Sequence, residues 1–272
     1  MSFKLTAITA TRNRETFLPR CIESVAAQSY PYKEHIIIDG GSSDGTISLL
    51  KSYAEKYPHI RWQSEKDSGI SNALNKGLKI ATGDAIGVIG DDDYYVPEAF
   101  SIIASEFERD ADVGVVSGNC DIIGNDNLVK ATQKASYTNR GDLIQCWRHW
   151  GKRVALAAPS TFIRKRVIDE VGGFDEADRY AMDYHHWLKI TKQFPKVRTV
   201  DAVFARFRCD TGSISFSLAD EQWRELLMIS KKQWRSEGTL IYGEILLSYL
   251  KYYQWPLFKR VVRNMVLPQV GS

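Results

Sequence analysis

An α/β fold built on a mostly parallel sheet is predicted by two features of the chain. Short runs of branched residues alternate with segments of helical period through the first half, and a cluster of polar residues follows most of those runs. The strand-like runs are 5–9, 34–38, 60–63, 85–89 and 113–116. Between them, Phe17, Leu18, Cys21, Ile22 and Val25 recur at helical spacing. So do Ile47, Leu50, Tyr53 and Ala54, then Ile70, Ala73, Leu74 and Leu78, then Ala99, Ile102, Ile103 and Phe107. Gly83 and Pro97 sit where a helix should end and another should begin. Repeated strand-helix units place helices on both faces of the sheet.

Past residue 118 the alternation loosens. Residues 120–123 and 160–164 read as strands, 141–150 as a short helix, 183–191 as a stronger one, and 197–207 as extended chain. No linker rich in proline, glycine or serine divides 1–117 from 118–217, so the two are expected to be halves of one domain. Residues 218–272 read as a helical extension, with helices near 218–235 and 239–252. Its end, 252–263, mixes aromatic and basic side chains, a composition suited to an anionic bilayer surface, a dimer contact or an ordinary packed helix.

A chain of 272 residues with 44% hydrophobic and 25% charged residues can bury a sizeable core without staples. Its net charge of +3 is too small to argue for nucleic acid. The four cysteines, Cys21, Cys120, Cys146 and Cys209, have no metal-ligand spacing and point to a reducing compartment. With no bilayer-length apolar window, a cytoplasmic location is expected, at the inner face of the cell membrane if the terminal segment binds lipid.

In a parallel sheet, ligands bind beyond the carboxyl ends of the strands. The polar clusters 9–14, 39–43, 65–69 and 91–93 all fall there, so four loops should converge on one site. The most informative is Asp91-Asp92-Asp93, directly behind the apolar run 85–90. Carboxylates at the end of a buried strand suit a divalent cation carrying phosphate, and less readily a solvated acidic turn. Strand alternation would turn Asp92 away from Asp91 and Asp93, to brace a neighbouring loop.

Taken in order, Asp39-Gly40-Gly41-Ser42-Ser43-Asp44-Gly45-Thr46, Glu65-Lys66-Asp67-Ser68-Gly69-Ile70, Asn75-Lys76-Gly77, Ala81-Thr82-Gly83-Asp84 and the aspartate cluster with Tyr95 resemble the family 2 glycosyltransferases of the GT-A fold. The resemblance resumes at Gly172-Gly173-Phe174-Asp175-Glu176 and at Met182-Asp183-Tyr184 through Trp187-Leu188. It implies a Rossmann-like GT-A sheet, a nucleoside-diphosphate-sugar donor (foremost a UDP-sugar), Mn2+ or Mg2+, and inversion at the anomeric carbon. It further implies a saccharide or polyprenyl-linked acceptor and a role in polysaccharide or lipopolysaccharide assembly. On that pattern 1–117 is the nucleotide-sugar half and 118–217 the acceptor half.

Residue by residue, the resemblance gives Asp39, Lys66 and Asp67 to the nucleotide, with turn capping or exposed loop charge as their alternatives. Thr9, Thr11 and Arg14 match the opening nucleotide-binding loop, or serve as helix caps and a surface ion pair. Asp93 and Asp91 match the metal motif, with Asp91 and Asp92 also assigned to the donor. Asp183 matches the general base, the alternative being a helix cap; Met182 stands where many members carry a second acid. Asp175 and Glu176 match the acceptor loop, and Trp147, Trp150 and Trp187 offer sugar-stacking faces if they are not simply packed. Arg206, Arg208 and Ser213 resemble a flexible loop over the donor phosphates. His185 and His186, adjacent on a helix, face different ways and favour structural roles.

Other classes remain open at this stage. A metal-dependent nucleotidyltransferase lacks its glycine-rich phosphate loop here, and a glycosidase would use Asp175, Glu176 and Asp183. A noncatalytic carbohydrate-binding protein would keep the metal without turnover. No dinucleotide fingerprint follows the first strand, which argues against a dehydrogenase.

Overall fold

The computed structural model describes residues 2–145, 155–209 and 219–237. Its strands are β1 (Leu5–Thr11), β2 (Lys33–Asp39), β3 (Ile60–Ser64), β4 (Ala85–Val88), β5 (Tyr94–Tyr95), β6 (Val115–Ile123), β7 (Val129–Gln133), β8 (Thr161–Arg164) and β9 (Val197–Arg208). Its helices are α1 (Leu18–Ala26), α2 (Thr46–Lys56), α3 (Ile70–Ile80), α4 (Ala99–Arg109), α5 (Arg140–Ile144), α6 (Lys165–Val171), α7 (Met182–Gln193) and α8 (Ala219–Glu237).

Among the described residues the strands form one sheet in the order β3-β2-β1-β4-β8-β6-β9-β5, with β7 on β6. The pairs β1–β2, β2–β3, β1–β4 and β6–β9 are parallel. Antiparallel β8 fills the space between β4 and β6, so those two run the same way. The parallel core is as the alternation predicts, and the antiparallel members β5, β7 and β8 all belong to the looser second half or the aspartate loop.

Helices cover both faces because β1 and β2 are buried on both. Leu5, Ala7 and Ile37 enter a core with Leu18, Cys21, Ile22 and Val25 of α1, Leu50 of α2 and Phe100, Ile103 and Phe107 of α4. Ile8, Ile36 and Ile38 enter the opposite core with Ala73 and Leu74 of α3, Leu188 and Ile190 of α7 and Trp223, Leu226 and Ile229 of α8. Helix α3 lies unusually close to the sheet. A Cβ at Gly77 would stand 2.5 Å from Ile8 Cγ2, so only glycine allows this approach.

Three features depart from the sequence reading. The runs 113–116 and 120–123, read as separate strands, are joined in the single strand β6, which begins at Val115. Between them Gly118 passes beneath the Phe204 ring, where a Cβ would lie 2.5 Å from Cδ2. Strand β7 was not legible, because all five of its residues are exposed and carry no apolar period. Helix α6 was also missed; it follows β8 without a gap, so no loop composition announces it. The expected helix near 218–235 is α8, whereas 239–252 and the aromatic-basic segment 252–263 lie outside the described residues. No helix among the described residues is long and apolar enough to cross a membrane.

Phe162 of β8 joins the halves of the fold, its ring 5.6 Å from Phe100 and 5.8 Å from Tyr95. Phe162→Ala is expected to lower unfolding free energy by about 3–5 kcal/mol. Denaturant unfolding followed by tryptophan fluorescence checks this.

Candidate active site

The carboxyl ends of β1, β2 and β3 lie abreast, Thr11 beside Asp39 and Asp39 beside Ser64. Asp39 is fully buried. Its Oδ2 accepts from the Gly41 and Ser42 amides, each at 3.0 Å, and from Ser64 Oγ at 2.6 Å, while Oδ1 accepts from Ser42 Oγ. The turn-capping role is therefore realised: Asp39 fixes the loop after β2. Asn13 stitches that loop to the one after β1, donating its amide to Ser42 Oγ (2.7 Å) and accepting from the Ser43 amide at Oδ1 (2.8 Å). Asp67 lies over the same turn, with Oδ2 2.5 Å from where a Gly40 Cβ would be, and its Oδ1 caps the Gly69 amide at 3.0 Å. Lys66 flanks Gly41, and Lys76 of α3 holds the Lys66 carbonyl at 3.2 Å.

Strand order reverses at β1, which has β2 on one side and β4 on the other. Such a switch point opens a crevice at the carboxyl ends. Arg14 after β1 meets Asp91 after β4 there, Nε 3.4 Å from Oδ1. Burial pushes the Asp91 carboxyl up to about 6 despite the opposing pull of Arg14. Asp93 is 2% exposed; burial first, then the charge of Asp92, raises it well above the ordinary carboxylate range, against a 2.8 Å hydrogen bond from the Arg208 amide. Thr11 Oγ1 is buried beside Asp91, near enough to lower that carboxyl slightly, but makes no hydrogen bond of good geometry.

Glu34, 3% exposed at the amino end of β2, gives the contrast. Burial raises it too, yet hydrogen bonds from Thr82, Arg61 and Thr6 and the charge of Lys4 overcome this and hold it below the usual range. One buried carboxylate is compensated by the protein; Asp91 and Asp93 are not. Hard oxygen donors in that condition, beside an orphaned hydroxyl, fit a divalent cation.

Asp92 departs from expectation. Strand β4 ends at Val88 and residues 91–92 form a turn, so alternation does not reach the cluster. A Cβ at Gly90 would meet both Asp93 Oδ2 at 2.6 Å and Asp92 Oδ1 at 3.2 Å, which places Asp92 with Asp93 rather than turned away.

Three further expectations are corrected. Thr9 lies inside β1, fully buried, 3.0 Å from His35 Nε2 and 3.6 Å from Cys21 Sγ, and belongs to the core. Arg206 and Arg208 stand on β9 and not on a flexible loop. Arg206 pairs with Asp121 (3.6 Å), while the Arg208 guanidinium donates to the Gly124 carbonyl (3.3 Å) and Asn127 Oδ1 (2.7 Å). Arg14 and Arg208 both stack on Phe17, at 5.7 and 5.5 Å. Arg20, which sequence reasoning passed over, stacks on Tyr94 at 3.8 Å and donates to Asn127.

Asp183 lies in the first turn of α7, whose cap position is Ala181, so it is not the helix cap. It is partly buried; burial pushes its carboxyl up to about 6, a hydrogen bond from the Tyr184 amide opposes this, and the charge of Glu225 adds to the rise. The loop before it is clasped by α3. Asn75 accepts from the Phe174 amide (2.9 Å) and donates to the Phe174 carbonyl (3.0 Å). Glu176 accepts from Asn72 (3.0 Å) and Asn75 (3.1 Å), which occupies both oxygens of a carboxylate expected at the acceptor. Asp175 is exposed.

Asp175, Asp178 and His185 place ligand atoms within 4.8 Å of one another, with His185 Nδ1 2.6 Å from Asp178 Oδ2. His186 is buried, its Nε2–H donating to the Gly172 carbonyl at 2.9 Å, and burial lowers its pKa to about 4; it is a neutral structural residue. Trp187 packs in the core at 8% exposure and offers no stacking face. Trp147, Trp150 and Ser213 lie outside the described residues.

Residues 6–172 match the model of glycosyl transferase family 2. The chain belongs to that family. It is 28% identical over 184 residues to the chondroitin synthase of Escherichia coli, a match covering 67% of this chain and 26% of the relative. The chain spans well under half the length of the curated relatives it matches, 26% to 42%. Among solved structures, residues 1–349 of TarS from S. aureus in complex with UDP-GlcNAc superpose with a TM-score of 0.66 at 18% identity, over 84% of this chain and 65% of that one. The mannosyltransferase of Pyrobaculum calidifontis in complex with GDP-Man and Mn2+ gives 0.64 at 19%, over 90% and 68%. These likenesses establish the GT-A fold.

Because the Asp93 carboxyl is raised, the native state holds its proton more tightly than the unfolded chain does. Its contribution to stability is thus present at low pH and lost as pH climbs through the raised value. Asp93→Asn is therefore expected to stabilise the metal-free family 2 protein by about 0.5–2 kcal/mol, by a margin that widens as pH rises from the ordinary carboxylate range toward the raised value, and to abolish any thermal shift with Mn2+. Calorimetric melting across that range checks both.

Proposed function

We propose that the protein is an inverting glycosyltransferase. It would move a sugar from a nucleoside-diphosphate-sugar, foremost a UDP-sugar, to a hydroxyl of a saccharide or lipid-linked saccharide. The observation that carries this reading is the pair of buried, undercompensated carboxylates Asp91 and Asp93 at the β1/β4 switch point. Family membership supports it, as do structural neighbours bound to UDP-GlcNAc and to GDP-Man with Mn2+.

Asp93 and Asp91 would hold Mn2+ or Mg2+, which supplies charge neutralisation to the departing diphosphate. The loops fixed by Asp39, with Lys66 and Asp67 over the Gly40-Gly41 turn, receive the nucleoside. Arg14 orients Asp91, and the Arg208 amide orients Asp93. Asp183 takes the acceptor proton as its oxygen attacks the anomeric carbon on the face opposite the diphosphate. Burial suits it to that task by raising its basicity while leaving it ionised at neutral pH. Glycosidase chemistry with Glu176 is disfavoured, because Asn72 and Asn75 occupy that carboxylate.

Two outcomes are expected from UDP release measured with UDP-GlcNAc and a panel of saccharide acceptors. Asp183→Asn lowers kcat by about 10²–10⁴-fold with UDP affinity unchanged. At saturating metal, which keeps Asp91 ionised, kcat/KM falls tenfold per pH unit below about 6, the value to which Asp183 is pushed. Undiminished turnover in Asp183→Asn would remove the base assignment.

A further inference from the structure

The family match ends at residue 172, and α8 lies well beyond it. Helix α7 has no side-chain cap from its own start: Ala181 holds the cap position and supplies no acceptor. Amides at the start of a helix require partners. Glu225 of α8 serves the amide of the cap residue and the two before it, its Oε2 accepting from the Ala181 and Tyr180 amides at 2.8 and 2.6 Å and its Oε1 from the Arg179 amide at 2.9 Å. Gln222, one turn earlier, donates to the Tyr180 carbonyl at 3.2 Å. Helix α8 is anchored beside this contact. Trp223, Leu226 and Ile229 are buried with Trp187 and Leu188 of α7, and Ser230 Oγ and the Tyr184 hydroxyl share the Ile144 carbonyl at 3.0 and 3.1 Å.

We infer that Glu225 is the positioning residue of the general base. Its carboxylate caps α7 from outside and fixes the backbone two residues ahead of Asp183, so α8 is part of the transfer machinery. The inference rests on Asp183 acting as base. It also answers a feature of the sequence: Met182 leaves the base without an acidic neighbour in the chain, and Glu225 brings a carboxylate to the same helix start from the other side of the fold. A carboxylate is favoured there by the helix dipole and accepts three amides at once. A glutamine keeps one acceptor oxygen and turns an NH2 donor toward the remaining amide hydrogens.

The test compares Glu225→Gln with the intact chain, using UDP release from UDP-GlcNAc with Mn2+, UDP binding by calorimetry, and amide hydrogen exchange at 179–181. Expected are a fall in kcat of about 10–100-fold, unchanged UDP affinity and donor KM, and at least tenfold faster exchange of the three amides. The acid limb of kcat should also move to lower pH, since Glu225 holds Asp183 up; the other ionisable groups of this loop and helix start, Asp175, Glu176, Asp178, Arg179, Tyr180 and His185, are unaltered. Wild-type kcat and pH profile in a folded variant overturn the inference, and so does loss of UDP affinity in parallel with kcat. Should Glu225→Gln not fold, Glu225→Asp decides by the same readouts. Full turnover in Asp183→Asn would instead refute the underlying base assignment, whatever Glu225 does.

Discussion

Buried negative charge at the point where strand order reverses is the constraint around which the carboxyl ends of the parallel strands are arranged. Asp91 and Asp93 stand at the end of a strand buried on both faces, where water cannot solvate them fully. The protein sets against this the Arg14 guanidinium at 3.4 Å from Asp91, the Arg208 amide at 2.8 Å from Asp93, and lesser help from Thr11 and the backbone at 90–91, which together leave both carboxyls raised. Glu34 demonstrates that the same sheet can satisfy a buried carboxylate when the need is structural, with hydroxyl, amide, guanidinium and ammonium groups gathered on it. The deficit at the other end is local and sustained by the rest of the fold. Raised carboxyls gathered in a crevice mark a candidate ligand site.

Holding that charge in place is the work of the loops around it. Asp39 spends its oxygens on its own turn, and Asn13 laces the first loop to the second, so the loops after β1 and β2 are held together by contacts within the protein. The loop before α7 is tied to them through α3. That helix starts behind Asp67 and Gly69, presses on β1 and β2 through Gly77, and grips the loop 174–176 with Asn72 and Asn75. Helix α8 closes the arrangement from the far side of α7.

The sequence exposed the parallel core, the loops and the aspartate cluster because each rests on local signals. Branched runs mark the strands, helical period marks α1 to α4, and turn residues follow each strand. What it hid depends on contacts between distant segments. Thr9 reads like a loop residue until β1 is seen to run on to Thr11, which leaves Thr9 one pleat deep. Arg206 and Arg208 look like a mobile basic loop but complete a strand whose partners lie more than eighty residues earlier. Trp187 carries no mark that separates a packed ring from a sugar platform. Glu225 sits on an ordinary polar helix face, and only the approach of α8 to 179–181 gives it a role. Of the candidate site, the acidic positions 91–93 and Asp183 could be picked out from the sequence; the contacts that hold them could not.

Calorimetric titration of the intact chain and of Asp93→Ala with UDP, GDP and UDP-GlcNAc, each with and without Mn2+, tests the central claim most directly. A nucleotide-sugar site built on Asp91 and Asp93 gives tight binding of one nucleotide only when metal is present, and none of it in the variant. Binding that ignores metal, or that survives loss of the Asp93 carboxylate, would contradict it.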